Sequence, residues 1–216
     1  MALDKDFFRT VMGQFATGVT VATARSSAGV AGLTVNSFTS VSLDPLLVLI
    51  CVELHSQAIP FFREGGVFAV NILNQEQEAV SNCFATSSEE RYNYFCHVGY
   101  KQAATGSPIL DGCLAFLDVR ITAEYPGGDH AIFLGRVEAM GHGSHVFFMP
   151  GVSSAQCTLP MHPAATNHAS SNGHSEAAGA PAPLLFYRGQ YHHLAPRYHH
   201  AHPDLEPAQA QHESNN

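Results

Sequence analysis

The sequence predicts a mainly β protein in which antiparallel strands close into a small barrel with short helices at its periphery. Three stretches carry that reading. Ala115, Leu117, Val119, Ile121, Ala123 and Tyr125 alternate with Asp118, Arg120, Thr122 and Glu124, the period of a strand buried on one face. Leu46 to Val52 is apolar at every position, as in a central strand covered on both sides. Val19 to Ala24 and Val30 to Val35 flank the turn-forming stretch Arg25 to Gly29, which is a hairpin pattern. Consecutive antiparallel strands with few helices between them favour a barrel over a layered α/β sheet.

In chain order, Phe7, Phe8, Val11, Met12, Phe15 and Ala16 fall at helical spacing behind Asp4 or Asp6, so an amphipathic helix covers residues 5 to 16 and ends by Gly18. The hairpin follows, and then Gly32 to Pro45 reads as a polar loop held between two strands. After the apolar strand, Ser56 can cap a helix of one or two turns ending near Arg63, and Gly65-Gly66 stops it. Val67 to Leu73 forms the next strand, and Asn74 caps a helix from Gln75 to about Ala85. Residues 86 to 108 mix polar and aromatic side chains with Gly99, Gly106 and Pro108, which predicts an ordered excursion without regular elements. Pro126 to Asp129 turns the long alternating strand, and His130 to Met140 returns it. From Gly141 to Pro183 there are five prolines and no Lys or Arg, a composition too poor in apolar side chains to offset its ordering entropy. That stretch is expected to be a flexible insertion in a domain of residues 1–195, with Val146 to Met149 as a segment able to pack on the body. Leu184 to Tyr187 and Gln190 to Leu194 complete the barrel, and residues 196–216 form a polar tail.

Composition narrows the function. The chain has 216 residues, 45% of them hydrophobic, enough for one domain with a real core. A formal net charge of -8 with ten Lys and Arg supplies no basic face, which excludes nucleic acid and anionic membrane as expected partners. No apolar run reaches the roughly 18 residues a membrane-spanning helix needs. The first residues lack a signal-peptide pattern, so a cytoplasmic location is expected. Cys51, Cys83, Cys96, Cys113 and Cys157 are odd in number and contain no C-x-x-C pair, so reduced, mostly buried thiols are expected. Fourteen histidines, with His192-His193 and His199-His200-Ala201-His202 near the end, suggest adventitious metal binding; no carboxylate or thiolate set stands at zinc-site spacing.

The loop from Gly32 to Pro45 holds the chemistry. Thr34, Ser37, Thr39, Ser40 and Ser42 with Asn36 offer short uncharged donors and acceptors beside backbone N–H groups. Such a set can wrap a phosphorylated, hydrogen-bonding ring, or can serve as a plain connector. The stretch resembles the signature of the flavin reductase-like family, the reductase components of two-component flavin-dependent monooxygenases. Further matching segments are Phe15 to Val21, Val67 to Leu73, Gly106 to Leu110, Gly127 to His130 with Ile132 to Gly135, and Leu184 to Gly189. Together they cover residues 7 to about 140 and 183 to 194. The resemblance implies a split β-barrel, a homodimer, FMN or FAD as flavin, NADH or NADPH as co-substrate, and a partner monooxygenase that takes the reduced flavin. No G-x-G-x-x-G fingerprint is present, which argues against a Rossmann enzyme.

Carried onto this chain, the resemblance puts Thr34, Val35, Asn36 and Ser37 along the flavin ring. Ser40, Val41 and Ser42 would lie toward the ribityl chain and phosphate, Cys51, Val52 and Glu53 on the opposite wall, and Ser56 on the phosphate. The family often has a second hydroxyl two positions after that serine, where this chain has Ala58, so Arg63 or Arg91 is expected to supply the phosphate charge instead. His130 would stand near the nicotinamide, or would be only a polar turn residue fixed by Asp129. Tyr187 and Arg188 match an aromatic-basic-glycine motif in which Phe186 replaces a common tyrosine. Arg188 would meet a cofactor phosphate, or only a surface carboxylate. The implied activity is NAD(P)H-dependent flavin reduction; the alternative is a tight FMN-binding electron carrier or sensor without NAD(P)H turnover. Relatives of this kind connect the His130 strand to the last strand by fewer residues, so the 141–183 insertion is a departure.

Overall fold

A computed structural model describes residues 4–143, 145–160 and 181–194. In chain order the elements are α1 (Lys5–Met12), β1 (Thr17–Gly18), β2 (Thr20–Ser26), β3 (Gly29–Val35), β4 (Thr39–Leu43), β5 (Leu46–Glu53), α2 (Ile59–Gly65), β6 (Val67–Ile72), α3 (Glu78–Ala85) and α4 (Glu89–Tyr92). They continue with β7 (Tyr100–Gln102), β8 (Pro108–Leu110), β9 (Ala115–Gly127), β10 (His130–His142), β11 (His145–Phe148), β12 (Leu185–Tyr187) and β13 (Gln190–His192). Single 3-10 turns cover Gln75–Gln77 and Phe95–His97.

One antiparallel sheet runs β3-β2-β6-β9-β10-β5-β4, with β11 added to the far end of β10. The sheet is an incompletely closed barrel. Leu33 and Val35 of β3 meet Val48, Ile50 and Val52 of β5 in one core, although five pairings separate those strands along the sheet. Ala58, Ile59 and Phe62 plug the same core, and the Phe62 ring stacks on Phe133 at 5.4 Å. Gly135 permits a close strand contact: a Cβ there would collide with Val119 and the Arg120 carbonyl, at one of the two register shifts that bend β10. A second core gathers Val19, Val21, Leu73, Phe84, Phe95, Leu110 and Leu184 on the other side of β2.

Several expectations need correction. The helix α1 stops at Met12, and its apolar stripe stands in solvent: Phe7 is 66% exposed and Phe8 63%. The polar stretch is loop at Asn36 to Phe38 and turn at Asp44-Pro45, because Thr39 to Leu43 forms the edge strand β4 on β5. Its mostly exposed side chains leave no apolar alternation to read. In β5, Val48, Ile50 and Val52 are buried but Leu47, Leu49 and Cys51 only half so; one face is covered, not two. The helix α2 begins at Ile59 with Ala58 at its cap position, and the Ser56 hydroxyl accepts from the Ala58 N–H (3.3 Å) in a turn before it. The last hairpin, β12 and β13, pairs with β1 in a separate three-stranded sheet and does not extend the main one. Residues 86–108 contain the regular pieces α4, β7 and β8.

The thiol expectation also changes. Cys83 and Cys96 form a disulfide, while Cys51, Cys113 and Cys157 are free and half-buried. Burial pushes the Cys113 thiol up to about 12, so it stays protonated at neutral pH. Of the expected insertion, β11 pairs with β10, and Thr158 both donates its N–H to the Gln102 carbonyl (2.9 Å) and accepts from the Gln102 N–H (2.9 Å). Residues 161–180 and the tail from 195, with its histidine cluster, lie outside the described residues. Among the described residues no helix is long and apolar enough to cross a membrane, and no three His, Cys, Asp or Glu converge on a metal position.

Candidate functional site

The open ends of β3 and β5, the turn after β5, the end of α3 and the helix α4 enclose a cleft of about 410 Å³. Its floor and one wall come from Leu33 to Ser37 and from Cys51 and Glu53. His55, Ser56 and Gln57 form the rim, Phe84, Ala85, Ser87, Arg91 and Tyr92 the opposite wall, and His130 closes one end. The volume falls in the range of small-molecule sites, about 300–1,000 Å³.

Two of the expected ligands hold these walls together. The Ser37 hydroxyl donates to the Cys51 carbonyl (3.0 Å) and accepts from the Cys51 N–H (3.1 Å), pairing the chain that leaves β3 with β5 as a ladder rung would. The Thr34 hydroxyl donates to the Ser81 carbonyl (2.7 Å) and fixes α3 against β3. Both hydroxyls are therefore engaged, while Asn36 is exposed at the mouth. Burial raises the Cys51 thiol above its ordinary value, against the Ser37 hydrogen bond, so it lines the cleft as a neutral group.

Arg91 gives the cleft its charge. The residue is 8% exposed; its Nε donates to the Gly32 carbonyl (2.9 Å) and its guanidinium lies 5.1 Å over the Tyr92 ring. Burial pulls the guanidinium below its ordinary value, and no carboxylate among the described residues offsets this. A buried cation without an anion costs several kcal/mol by order of magnitude. An incoming anion that accepts from its remaining N–H groups relieves that cost. At the other end, the His130 Nδ1 meets the Asp129 Oδ1 at 2.7 Å; that hydrogen bond and the imidazole charge hold the Asp129 carboxyl below the usual carboxylate range. The Leu54 N–H donates to the Asp129 carbonyl (3.0 Å), tying this turn to the end of β5. Gly128, at φ +74°, supplies the left-handed residue the two-residue turn requires. His130 thus begins its strand opposite Glu53, with Nε2 turned away from Asp129.

The structure brings together nine of the expected residues: Thr34, Val35, Asn36, Ser37, Cys51, Glu53, Ser56, Arg91 and His130. Within one chain it does not bring the others. Ser40, Val41 and Ser42 lie on the outer edge strand β4, and Val52 points into the core. Arg63 is held by Glu124 in a two-pronged pair (2.7 and 3.1 Å) away from the cleft. Tyr187 and Arg188 reach Gln14 at 3.4 and 2.9 Å beside α1. Leu33, His55, Gln57, Phe84, Ala85, Ser87 and Tyr92 complete the lining without having been expected. A signal for part of that wall was present: Ser87-Ser88-Glu89-Glu90 is a helix-start pattern, and Ser88 does cap α4.

The sequence and the fold recur in known proteins. The family model of the flavin reductase like domain matches residues 12–195. The chain is 31% identical over 194 residues to the flavin-dependent monooxygenase reductase subunit HsaB of Mycobacterium tuberculosis, covering 90% of this chain and 84% of that one. It is 38% identical over 135 residues to the FMN reductase (NADH) SmoA of Agrobacterium fabrum, covering 62% and 75%. The structure of the Streptomyces globisporus NADH:FAD oxidoreductase SgcE6, in complex with NAD and FAD fragments, superposes with a TM-score of 0.68 at 31% identity, covering 89% of this chain and 94% of that one. Sequence and fold thus agree, and the chain belongs to the flavin reductase like family.

Proposed function

We propose that the cleft binds FMN or FAD together with the nicotinamide of NADH or NADPH, and that the reduced flavin is released to a partner monooxygenase. The chain is a flavin oxidoreductase, and the observation that supports this site for it is Arg91, a buried cation with no ion-paired carboxylate among the described residues, in a cleft lined by hydroxyl, amide and apolar side chains with Glu53, His55 and His130. A flavin fits such a donor set: its phosphate needs a cation, its pyrimidine edge needs neutral donors and acceptors, and its other edge needs apolar surface. When bound, the flavin and the nicotinamide supply the hydride chemistry themselves, and the protein supplies orientation and electrostatics. Arg91 anchors the phosphate, the Asn36 and Ser37 backbone lies along the ring, and Leu33 and Phe84 give the apolar contact. His130, its Nδ1 held by Asp129, directs Nε2 to the nicotinamide carboxamide or to negative charge at the ring.

The test is NADH and NADPH oxidation with added FMN or FAD, alongside flavin titration of the Arg91→Gln variant. Steady turnover with free flavin, and a loss of flavin affinity of about tenfold or more in the variant, are expected. Retained flavin without turnover would instead favour an electron carrier or sensor. Unchanged affinity in the variant would remove Arg91 from the site.

A further inference from the structure

The wall that carries Arg91 is a loop closed on itself. Cys83, in the last turn of α3, is joined to Cys96, and α4 lies between them. Among the described residues, the hydrogen bonds made by Ser87 to Val98 stay within that segment, with one exception: the Arg91 Nε donates to the Gly32 carbonyl of β3 (2.9 Å). Phe95 adds a buried ring, edge-on to Phe84 at 5.0 Å. The disulfide is the third tie, and the covalent one. Phe95, Cys96 and His97 stand at φ 49°, 54° and 53°, left-handed values that residues with a Cβ adopt only at a cost. The link holds them there, so its opening frees the segment to relax away from β3. Both cysteines are half-buried, within reach of a small thiolate.

We propose that the Cys83–Cys96 link is a thiol–disulfide exchange site through which a dithiol sets the affinity of the cleft for flavin. The inference rests on the flavin reading of the cleft and adds regulation to it. A thiolate of the dithiol attacks one sulfur, the bond between Cys83 and Cys96 breaks and a mixed disulfide forms; the second thiol of the reagent then displaces the protein sulfur. The protein link gains two electrons and two protons and becomes two thiols, while the dithiol becomes a disulfide. Closed, the loop presents Arg91 in place for the flavin phosphate. Open, the segment is tied to the body through Arg91 and Phe95, and the anion site loses its preorganisation. Binding couplings are reciprocal, so bound flavin in turn keeps the link closed.

The experiment equilibrates the wild type in mixtures of reduced and oxidised dithiothreitol, traps free thiols by alkylation, and weighs the peptides that carry Cys83 and Cys96 to give the fraction of closed link. FMN and FAD affinities are measured by quenching of flavin fluorescence in the closed and open forms. Flavin is expected to bind the open form about tenfold or more weakly, with the original affinity returning on reoxidation and a cooperative melting transition present in both forms. Saturating flavin is expected to raise the ratio of reduced to oxidised dithiothreitol that half-opens the link, by the same factor as the affinity ratio. The proposal is overturned if the two forms bind flavin within about twofold of each other, if flavin leaves the half-opening ratio unchanged, or if reduction abolishes the melting transition, which would make the link a structural brace alone. Failure of both flavins to bind the closed form would overturn the flavin reading of the cleft and this regulation with it, a result distinct from the other three.

Discussion

At Asp118 the alternation of β9 breaks: the residue sits on the polar side of the pattern yet is fully buried. Its carboxyl accepts from the Thr105 N–H (2.7 Å) and the Thr105 hydroxyl, and Ser107 completes the group. Burial nevertheless raises its pKa above the ordinary value, more than Thr105 lowers it, with the Glu138 charge adding to the rise. A raised folded pKa contributes stability that is present below the unfolded value of about 3.9 and is lost as pH rises through the folded value. Glu138 has the opposite sign: burial would raise it, but Arg120 (2.7 Å) and Arg136 (3.3 Å) outweigh that and hold it below the ordinary value. Its contribution is present above about 4.3 and lost as pH falls. Asp118→Asn keeps an acceptor for the Thr105 N–H and removes the titration. Urea unfolding at pH 4 and pH 7 is expected to show the variant gaining on the wild type toward pH 7; an identical difference at both values would refute the assignment.

Among the elements, α4 and its surroundings are the least regular and the most consequential. The disulfide from Cys83 to Cys96 encloses Phe84, Ala85, Ser87, Arg91 and Tyr92, one whole wall of the cleft. Phe95, Cys96 and His97 all carry positive φ, which turns the chain back far enough for the two sulfurs to meet. With the cysteines 13 positions apart in sequence, loss of the link is expected to cost about 3 kcal/mol by chain entropy. Cys83→Ser with Cys96→Ser should therefore melt lower and bind flavin more weakly, and a thiol reductant should reproduce both effects in the wild type alone. Equal melting of variant and wild type would show that the link does not brace the wall.

This wall also marks where sequence reading stopped. The strands were legible because Ala115 to Tyr125 alternates, Val19 to Ala24 is rich in β-branched residues and Val67 to Leu73 is an apolar run bounded by Gly66 and Asn74, and Asn74 was legible because capping is a local bond, here completed by Gln77. The edge strand β4 was not, since an exposed strand has no apolar side to show. Choosing Arg91 over Arg63 was not either. Both are lone arginines in short helices, and only the fold pairs one with Glu124 and leaves the other without an ion-paired carboxylate among the described residues. Two cysteines joined through three left-handed residues leave no periodic trace.

For the whole molecule, the exposed Phe7, Phe8, Val11 and Met12 form an apolar stripe on a helix with no buried residue, and the exposed Phe15 follows just beyond it. An apolar patch of this kind is a docking surface by expectation, and the test is whether its occupant is a second copy of this chain, as the family resemblance implies. Phe8→Asp with Met12→Asp is expected to convert a dimer into monomer in light scattering without unfolding the barrel. A wild type that is monomeric at every concentration would refute the pairing.

The helix itself is held to the body by the last hairpin: the Arg188 N–H donates to the Gly13 carbonyl (2.9 Å), and β1 pairs with β12, joining Thr17 to Phe186. Those partners stand about 170 residues apart. On a ribosome adding about 5–20 residues per second, the first strand therefore waits roughly ten to thirty seconds for its mate, with its greasy helix unattached. Newly made chains of this protein spend that interval as clients for any chaperone that grips apolar segments near the tunnel exit.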